Sequence, residues 1–264
     1  MRDFNIARNP SASVKARELI HSQPMLCEAL EEAFEAGGCV LCHVLHQFEK
    51  RSLFSFLYDG MMTPEARQDF VQAGGFCARH FRLAVQISRS EHLGLLGLAM
   101  LCRQLVPQAE SVAAEAGAQR PRRRRLGRPK DPDRIPAHGC VFCRDLRINE
   151  EQLIRTLETL VDDEEFSARL SRNALCSEHV QLMLAHWENA SKRQWIAAVL
   201  RRHASELVHD LKEFQRKHDY RFSHEPYGRE INIVERCMEF LLGLESKADS
   251  GSPTEQPKYE RKKA

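Results

Sequence analysis

The chain has 264 residues, of which 42% are apolar, with nine cysteines and a formal net charge of +2. This length allows one domain or two halves with a sizeable core, and the near-neutral charge excludes a uniformly basic protein of the histone kind. No apolar stretch reaches the roughly 18 residues of a membrane-spanning helix, and the N-terminal sequence has no run of signal-peptide type. We therefore expect a cytoplasmic protein without membrane contact, whose cysteines are reduced.

Apolar residues recur at helical spacing along most of the chain, without strand-like alternation. The pattern predicts an all-α fold made of a duplicated repeat, with roughly four helices in each half and almost no sheet. The predicted segments are an N-terminal segment (1–24), a first metal-binding helical repeat (25–116), a basic flexible linker (117–137), a second such repeat with a C-terminal helix (138–246) and a disordered tail (247–264).

The first repeat carries two short cysteine motifs, each introduced by glycines. Gly37-Gly38 precede Cys39-x-x-Cys42, and Gly74-Gly75 precede Cys77-x-x-His80, with 34 residues between the two motifs. Glycine lets the backbone turn sharply enough for closely spaced ligands to face one ion. We expect each motif to open a helix, and Pro64 after Thr63 to start a short helix between them.

The linker between the repeats is strongly basic. It contains seven Arg and one Lys against two Asp, together with four Pro, and its densest part is the run Arg122, Arg123, Arg124 and Arg125. Such a segment buries no apolar surface, so we expect it to be flexible. Arginine neutralises phosphates, which makes these four residues candidate contacts to nucleic acid. The alternative is a solvated linker that binds nothing.

The second repeat repeats the motifs in the same order. Gly-Cys-Val-Phe-Cys at 139–143 matches Gly-Cys-Val-Leu-Cys at 38–42, and 32 residues separate Cys143 from Cys176-x-x-His179. The acidic run 162–165 is interpreted as a solvated turn or helix start, and a long amphipathic helix is expected around residues 195–214. A last helix ends at Gly243.

Eight thiol and imidazole groups thus form two sets of three Cys and one His. The candidate metal ligands are Cys39, Cys42, Cys77, His80, Cys140, Cys143, Cys176 and His179. Three thiolates and one imidazole close a tetrahedron around Zn²⁺ and leave no open position, so we expect two structural zinc ions. Ligands taken from within one repeat are the simpler arrangement, while exchange of sets, with Cys39 and Cys42 meeting Cys176 and His179, stays open.

Further cysteines and histidines are left out of the ligand sets. His43, His46 and His138 lie beside the Cys-x-x-Cys motifs and could replace a ligand, but such neighbours are more often exposed or support the ligands. The remaining cysteines lie in apolar helical patterns, where we expect them to be small buried hydrophobes. They are Cys27, Cys102 and Cys237.

The paired GC-V-x-C and C-x-x-H motifs on helical halves resemble a poorly characterised prokaryotic family of unknown function. The resemblance covers about residues 25–245 and includes the stretch 217–221, Lys-His-Asp-Tyr-Arg. It implies a helical protein with paired metal sites and brings no established activity. The Arg-rich linker looks like an addition of this chain.

Closed metal sites favour a non-enzymatic binding or scaffold protein, whose partner is an unknown macromolecule, either protein or nucleic acid. The alternative from a different class is an iron–sulfur or thiol redox protein that uses the same cysteines, although three Cys and one His are less usual for a cluster than four Cys. Phosphate-binding, dinucleotide-binding and hydrolase motifs are absent from the sequence. His218, Asp219, Tyr220 and Arg221 are the least dismissible catalytic candidates, but no known catalytic geometry accompanies them. The sequence leaves the oligomeric state open.

Overall fold

A computed structural model describes residues 14–16, 18–19, 22–118, 139–222 and 224–243. Within these ranges the regular structure is helical and there is no β-strand. The predicted all-α fold is therefore confirmed for the described part of the chain. The basic linker with Arg122 to Arg125, and His138, lie outside the described residues.

Within the described residues, several successive helices are separated by only three to five residues. In chain order they are α1 (Pro24–Ala36), α2 (Val40–Tyr58), α3 (Pro64–Gln72), α4 (Ala78–Ser90), α5 (Leu96–Ala118), α6 (Val141–Leu160), α7 (Glu164–Arg172), α8 (Ser177–His186), α9 (Ala190–Lys217) and α10 (Ile233–Leu242). Short 3₁₀ turns at Gly60–Met62 and Arg229–Asn232 precede α3 and α10.

The chain divides into two compact units. One contains residues 1–44 and 152–264, and the other contains residues 45–151. The boundaries fall inside α2 and α6, so the first unit contains the motifs that begin at Cys39 and Cys176, and the second contains those that begin at Cys77 and Cys140. The unit of 45–151 is called the inner unit below, and the other is called the outer unit.

All four cysteine motifs start helices, as the sequence predicts. The carbonyls of Cys39 and Cys140 accept the first helical hydrogen bonds of α2 and α6, from the backbone N–H of His43 at 3.1 Å and of Arg144 at 3.2 Å. Cys77 and Cys176 are the N-caps of α4 and α8. Thr63 and Pro64 likewise begin α3, because the ring of proline is compatible with the first helical position.

The core of the inner unit is aromatic. Phe70 packs against Phe76 with 4.5 Å between ring centroids, and Phe56 and Phe142 lie 5.6 Å apart edge to face. Leucines and other apolar residues complete this cluster, among them Leu53, Leu57, Ile87, Leu98 and Leu101. Phe142 lies between Cys140 and Cys143, so its packing in this core fixes the position of the second Cys-x-x-Cys motif.

In the outer unit, a buried tryptophan and a buried ion pair connect the helices. Trp187 donates from its indole N–H to the carbonyl of Ile154 at 2.9 Å. Lys192 pairs with Asp162 at 2.7 Å, and Asp163 caps α7 by accepting from the N–H of Phe166 at 3.0 Å. The acidic run therefore does start a helix, but Asp162 and Asp163 are buried. The solvated environment expected for them is wrong, because an ammonium and a helix N-terminus compensate them.

The three cysteines outside the motifs are less buried than the apolar pattern predicts. Cys27, Cys102 and Cys237 are each partly exposed, so the expectation of fully buried small hydrophobes is wrong. On the last helix, α10, only Ile233 is buried, whereas Val234, Leu241 and Leu242 are exposed. Helical periodicity locates an apolar face, but it does not tell how completely other elements cover it.

Among the described residues, no helix combines the length and the apolar character that crossing a bilayer requires.

Candidate metal centre

Two groups of four ligand atoms converge, and each group draws on both repeats. Site 1 consists of Cys39, Cys42, Cys176 and His179, and site 2 consists of Cys77, His80, Cys140 and Cys143. In each group the four ligand atoms all lie within 4.8 Å of one another. The preferred pairing within a repeat is wrong: the exchanged arrangement is the one that the fold adopts.

The physical reason is that a greater separation of the ligands along the sequence adds little to the entropic cost of closing the loop. Site 1 joins residues 140 apart along the chain, whereas a pairing within a repeat would close loops of 34 or 32 residues. Loop-closure entropy grows only logarithmically, so two doublings of loop length cost about 1.2 kcal/mol. Packing of the helices that carry the ligands easily outweighs so small a difference, and the shorter loops therefore give no strong preference.

The distances in site 1 are those of a compact tetrad. The Nδ1 atom of His179 lies 3.0 Å from Sγ of Cys176, 3.3 Å from Sγ of Cys42 and 3.4 Å from Sγ of Cys39. The sulfurs of Cys42 and Cys176 are 3.8 Å apart. All four residues belong to the outer unit.

Site 2 has the same geometry and belongs to the inner unit. The Nδ1 atom of His80 lies 3.1 Å from Sγ of Cys77, 3.3 Å from Sγ of Cys143 and 3.5 Å from Sγ of Cys140. The sulfurs of Cys77 and Cys143 are 3.6 Å apart. The two sites differ in exposure: Cys143 is exposed, whereas Cys39 and Cys176 of site 1 are buried.

These spacings fit a tetrahedral zinc ion. With Zn–S of about 2.3 Å and Zn–N of about 2.0 Å, the edges of the tetrahedron are about 3.8 Å between sulfurs and about 3.6 Å between sulfur and nitrogen. The observed sulfur–sulfur distances of 3.6 and 3.8 Å agree with this. The sulfur–nitrogen distances of 3.0 to 3.5 Å are shorter, so the side chains would move apart by up to about 0.6 Å around an ion. Each group could therefore hold a metal ion without rearrangement of the backbone.

Helix N-termini favour the thiolate form of the ligands. Sγ of Cys77 accepts from the backbone N–H of His80 at 3.4 Å, and Sγ of Cys176 accepts from that of His179 at 3.5 Å. The partial positive charge at the start of a helix stabilises an anion there. The same turn places the imidazole of each Cys-x-x-His motif beside its own sulfur.

Without a cation, the sulfurs of each site cannot all ionise. In site 2, burial opposes ionisation of Cys140, but hydrogen bonds from His80 and from backbone N–H groups lower its pKa to about 6. Burial and the neighbouring Cys77 raise the pKa of Cys143 to about 12. In site 1, contact with Cys176 and Cys39 raises the pKa of Cys42. Three crowded thiolates repel one another, and a divalent cation is the group that removes this repulsion.

Gly243, which ends α10, closes site 1 from one side. Its backbone has φ 74° and ψ −165°, a region open in practice to glycine alone. A Cβ atom at this position would lie 2.8 Å from Sγ of Cys42 and 3.8 Å from Sγ of Cys176. The hydroxyl of Ser177 donates to the carbonyl of Leu241 at 3.3 Å, which joins the start of α8 to the end of α10.

Glu49 is a residue of site 2 that sequence reasoning missed. Its carboxylate is buried on α2, and Oε1 lies 2.8 Å from Nε2 of His80. Burial acts to raise the pKa of Glu49, but hydrogen bonds from His46 and His80 and the charge of Arg79 lower it to about 2. A signal was present, since a glutamate follows the first cysteine by ten positions in both repeats, as Glu49 after Cys39 and Glu150 after Cys140.

The histidines beside the motifs support the ligands or their neighbours. His43 donates from Nε2 to the carbonyl of Gly37 at 2.6 Å, which braces the turn that leads into Cys39. His46 lies 3.6 Å from Glu49. Neither belongs to a group of converging metal ligands, in agreement with their exclusion at the level of sequence.

The stretch 217–221 makes local structural contacts. Lys217 pairs with the buried Glu230 at 2.5 Å and donates to the carbonyl of Pro226. Asp219 pairs with Arg221 at 2.6 Å. Tyr220 is exposed. These contacts hold the end of α9 against the loop that leads to α10.

The fold and the two sites define an all-helical protein with two Cys₃His groups that could bind metal. The sequence matches the profile of a family of unknown function, DUF6062, over residues 24–248. The chain belongs to this family, which confirms the resemblance to a family of unknown function that the cysteine and histidine motifs indicated. No curated protein matches the chain. No solved structure matches it either.

Proposed function

We propose that this protein is a zinc-stapled helical binding or scaffold protein, in which site 1 and site 2 each hold one structural Zn²⁺. The observation that carries the proposal is the convergence of three sulfurs and one imidazole nitrogen in each site, with one sulfur–sulfur edge of 3.8 or 3.6 Å that matches a zinc tetrahedron. A fourth protein ligand leaves no position for substrate or water, so the ions would stabilise structure and not perform catalysis.

The ions would contribute to stability by holding distant segments together. When bound, Zn²⁺ supplies on the order of 10 kcal/mol of binding free energy, which becomes folding free energy when the site exists only in the folded chain. The chain's own residues prepare the site: the helix N-termini at Cys77 and Cys176 favour thiolates, and buried side chains exclude water around Cys39 and His179. Each unit would then depend on its own ion.

The alternative is an iron–sulfur or thiol redox protein with the same ligands. Three Cys and one His are less usual for a cluster than four Cys. Redox cycling of a Cys-x-x-Cys pair needs no distant Cys-x-x-His partner, yet such a partner faces each pair here. Zinc is therefore the proposal that these contacts support best.

The direct test is metal analysis of protein purified under anaerobic conditions without added metal. We expect about two equivalents of zinc per chain and a colourless sample. Removal of the metal by a chelator should lower the far-UV helical signal and the melting temperature. Iron with visible absorbance would favour the alternative, and unchanged helicity and melting after complete chelation would contradict a structural role.

The identity of the partner is a separate question, and the sequence offers the Arg-rich linker as the candidate segment that contacts it. We propose that Arg122 to Arg125 add salt-dependent affinity for nucleic acid, since guanidinium groups neutralise phosphates. Fluorescence anisotropy at low salt would compare the natural chain with a variant in which all four are Gln. Equal affinity of the two proteins would remove the linker from the function.

A further inference from the structure

Glu49 and His80 form a buried pair on one side of site 2. The side chain of His80 is fully buried and that of Glu49 nearly so, and their atoms Nε2 and Oε1 lie 2.8 Å apart. Their contact is that of an ion pair, and neither of these two buried atoms makes a hydrogen bond to any other described residue. A buried polar atom without compensation is destabilising, so each of the two atoms depends on the other.

The second oxygen of Glu49 is engaged elsewhere, and this fixes the orientation of the carboxylate. Arg79, on α4, approaches Oε2 to 2.9 Å, and His46, on the same helix as Glu49, lies 3.6 Å from it. With Oε2 directed at Arg79, Oε1 is left to face His80. The pair is therefore held by groups from two helices, α2 and α4.

The orientation matters because the two nitrogens of an imidazole have different tasks. Nδ1 of His80 is the atom that faces the three sulfurs of site 2. To bind a metal, Nδ1 needs a free lone pair, so in the neutral ring the proton resides on Nε2. A carboxylate that accepts this proton in a hydrogen bond selects the tautomer and increases the basicity of the metal-bound nitrogen.

We infer that Glu49 is a positioning residue of site 2, which accepts the Nε2–H of His80 and thereby orients Nδ1 toward the metal. This inference rests on the proposed metal binding. Loss of such a carboxylate typically lowers metal affinity 10- to 100-fold. The effect should be confined to site 2, because Glu49, Arg79 and His80 all belong to the inner unit.

The test compares the full-length protein with Glu49→Ala and Glu49→Gln in competition titrations of Zn²⁺ against a chromophoric chelator. Glu49→Ala should lower the affinity of one site about 10- to 100-fold, and Glu49→Gln should lower it less, because the amide oxygen still accepts a hydrogen bond. Site 1 is the internal control. Lys50→Ala, at the exposed next position of α2, is the matched control and should change neither site.

A second measurement separates positioning from general loosening of the fold. Long-range ¹H–¹⁵N correlation spectra of the zinc-loaded protein should show His80 protonated at Nε2, and Glu49→Ala should mix its tautomers or exchange the coordinated nitrogen. Unchanged affinity and tautomer in Glu49→Ala would overturn the inference, as would an equal loss at both sites. If the natural protein bound no metal at all, the proposed function would fail instead, and the two failures are therefore distinguishable.

Discussion

Replacement of Gly243 by alanine tests whether the end of α10 closes site 1. The added Cβ would lie 2.8 Å from Sγ of Cys42, which is closer than folded proteins tolerate without movement. Either the sulfur leaves its place in the tetrad, or the end of α10 moves away from α8. Movement of the sulfur should weaken site 1 directly, since metal sites tolerate only about 0.2 Å of error in ligand distance, whereas movement of α10 should uncover the site and loosen the helix.

The destabilisation of site 1 in Gly243→Ala has two parts, backbone strain and the collision with the sulfur, and a second glycine of the chain offers a control that separates them. Gly243 has φ 74° and ψ −165°, and Gly37 has φ 73° and ψ 177°, so alanine at either position costs about 1 to 3 kcal/mol of backbone strain. A Cβ at Gly37 meets nothing within 4 Å. Gly37→Ala therefore reports backbone strain without a collision, in the turn that leads directly into Cys39, and any loss in Gly243→Ala beyond that of Gly37→Ala reports the collision with the sulfur.

The assay is a competition titration of zinc together with hydrogen exchange of α10. We expect Gly243→Ala to lower the zinc affinity of site 1 at least about tenfold beyond Gly37→Ala, which corresponds to about 1.4 kcal/mol. Faster exchange in α10 would show that the helix moves instead of the sulfur. Equal zinc affinity and equal exchange in the two variants would refute the assignment of Gly243 as a closure of site 1.

Three further predictions concern the metal and the buried charges. Zinc should leave site 2 before site 1 during chelation, because Cys143 is exposed while Cys39 and Cys176 are buried. The order of release can be measured by the rate at which a thiol reagent modifies the cysteines of each site, and release from site 1 first would contradict this. Lys192→Met should destabilise the protein by about 3 kcal/mol, because it leaves the carboxylate of Asp162 buried without its partner, and an unchanged denaturation midpoint would contradict it. Asp210→Asn should cost about 2 kcal/mol at neutral pH through weaker hydrogen bonds to Arg229 and Arg236. Burial acts to raise the pKa of Asp210, but these two arginines lower it. The stability that Asp210 contributes is therefore present above the unfolded pKa of about 3.9 and is lost as the pH falls through the folded pKa. Denaturant unfolding of the natural protein and Asp210→Asn should show a smaller difference in stability at pH 3 than at pH 7, and the same difference at both pH values would contradict this.

The helical fold and the identity of the eight converging residues could be predicted, because both can be seen in local sequence motifs. Glycines before Cys39 and Cys77 have positive φ, between 73° and 90°, as expected of a chain that must turn sharply into a ligand pair. Thr63 and Pro64 start α3 through their own backbone preferences. The duplication of the repeat remains a prediction from the sequence.

The pairing of the ligand sets could not be predicted, because it depends on how the helices pack. The shorter loops within a repeat have an entropic advantage of about 1.2 kcal/mol, which is small beside the packing energies of buried residues such as Phe142 and Trp187. The contact of Glu49 with His80 could not be predicted either: the matching position of Glu49 and Glu150 marks the residue, but it does not show which side chain the carboxylate meets. Only the structure brings it to His80 and Arg79.

The most direct test of the exchanged zinc staples is the zinc content of two quadruple variants. In the first, Cys39, Cys42 and Cys176 become Ser and His179 becomes Ala, which removes site 1 alone. In the second, Cys39, Cys42 and Cys77 become Ser and His80 becomes Ala, which removes half of each site. We predict about one equivalent of zinc in the first variant and none bound tightly in the second. One equivalent in the second and none in the first would contradict the account.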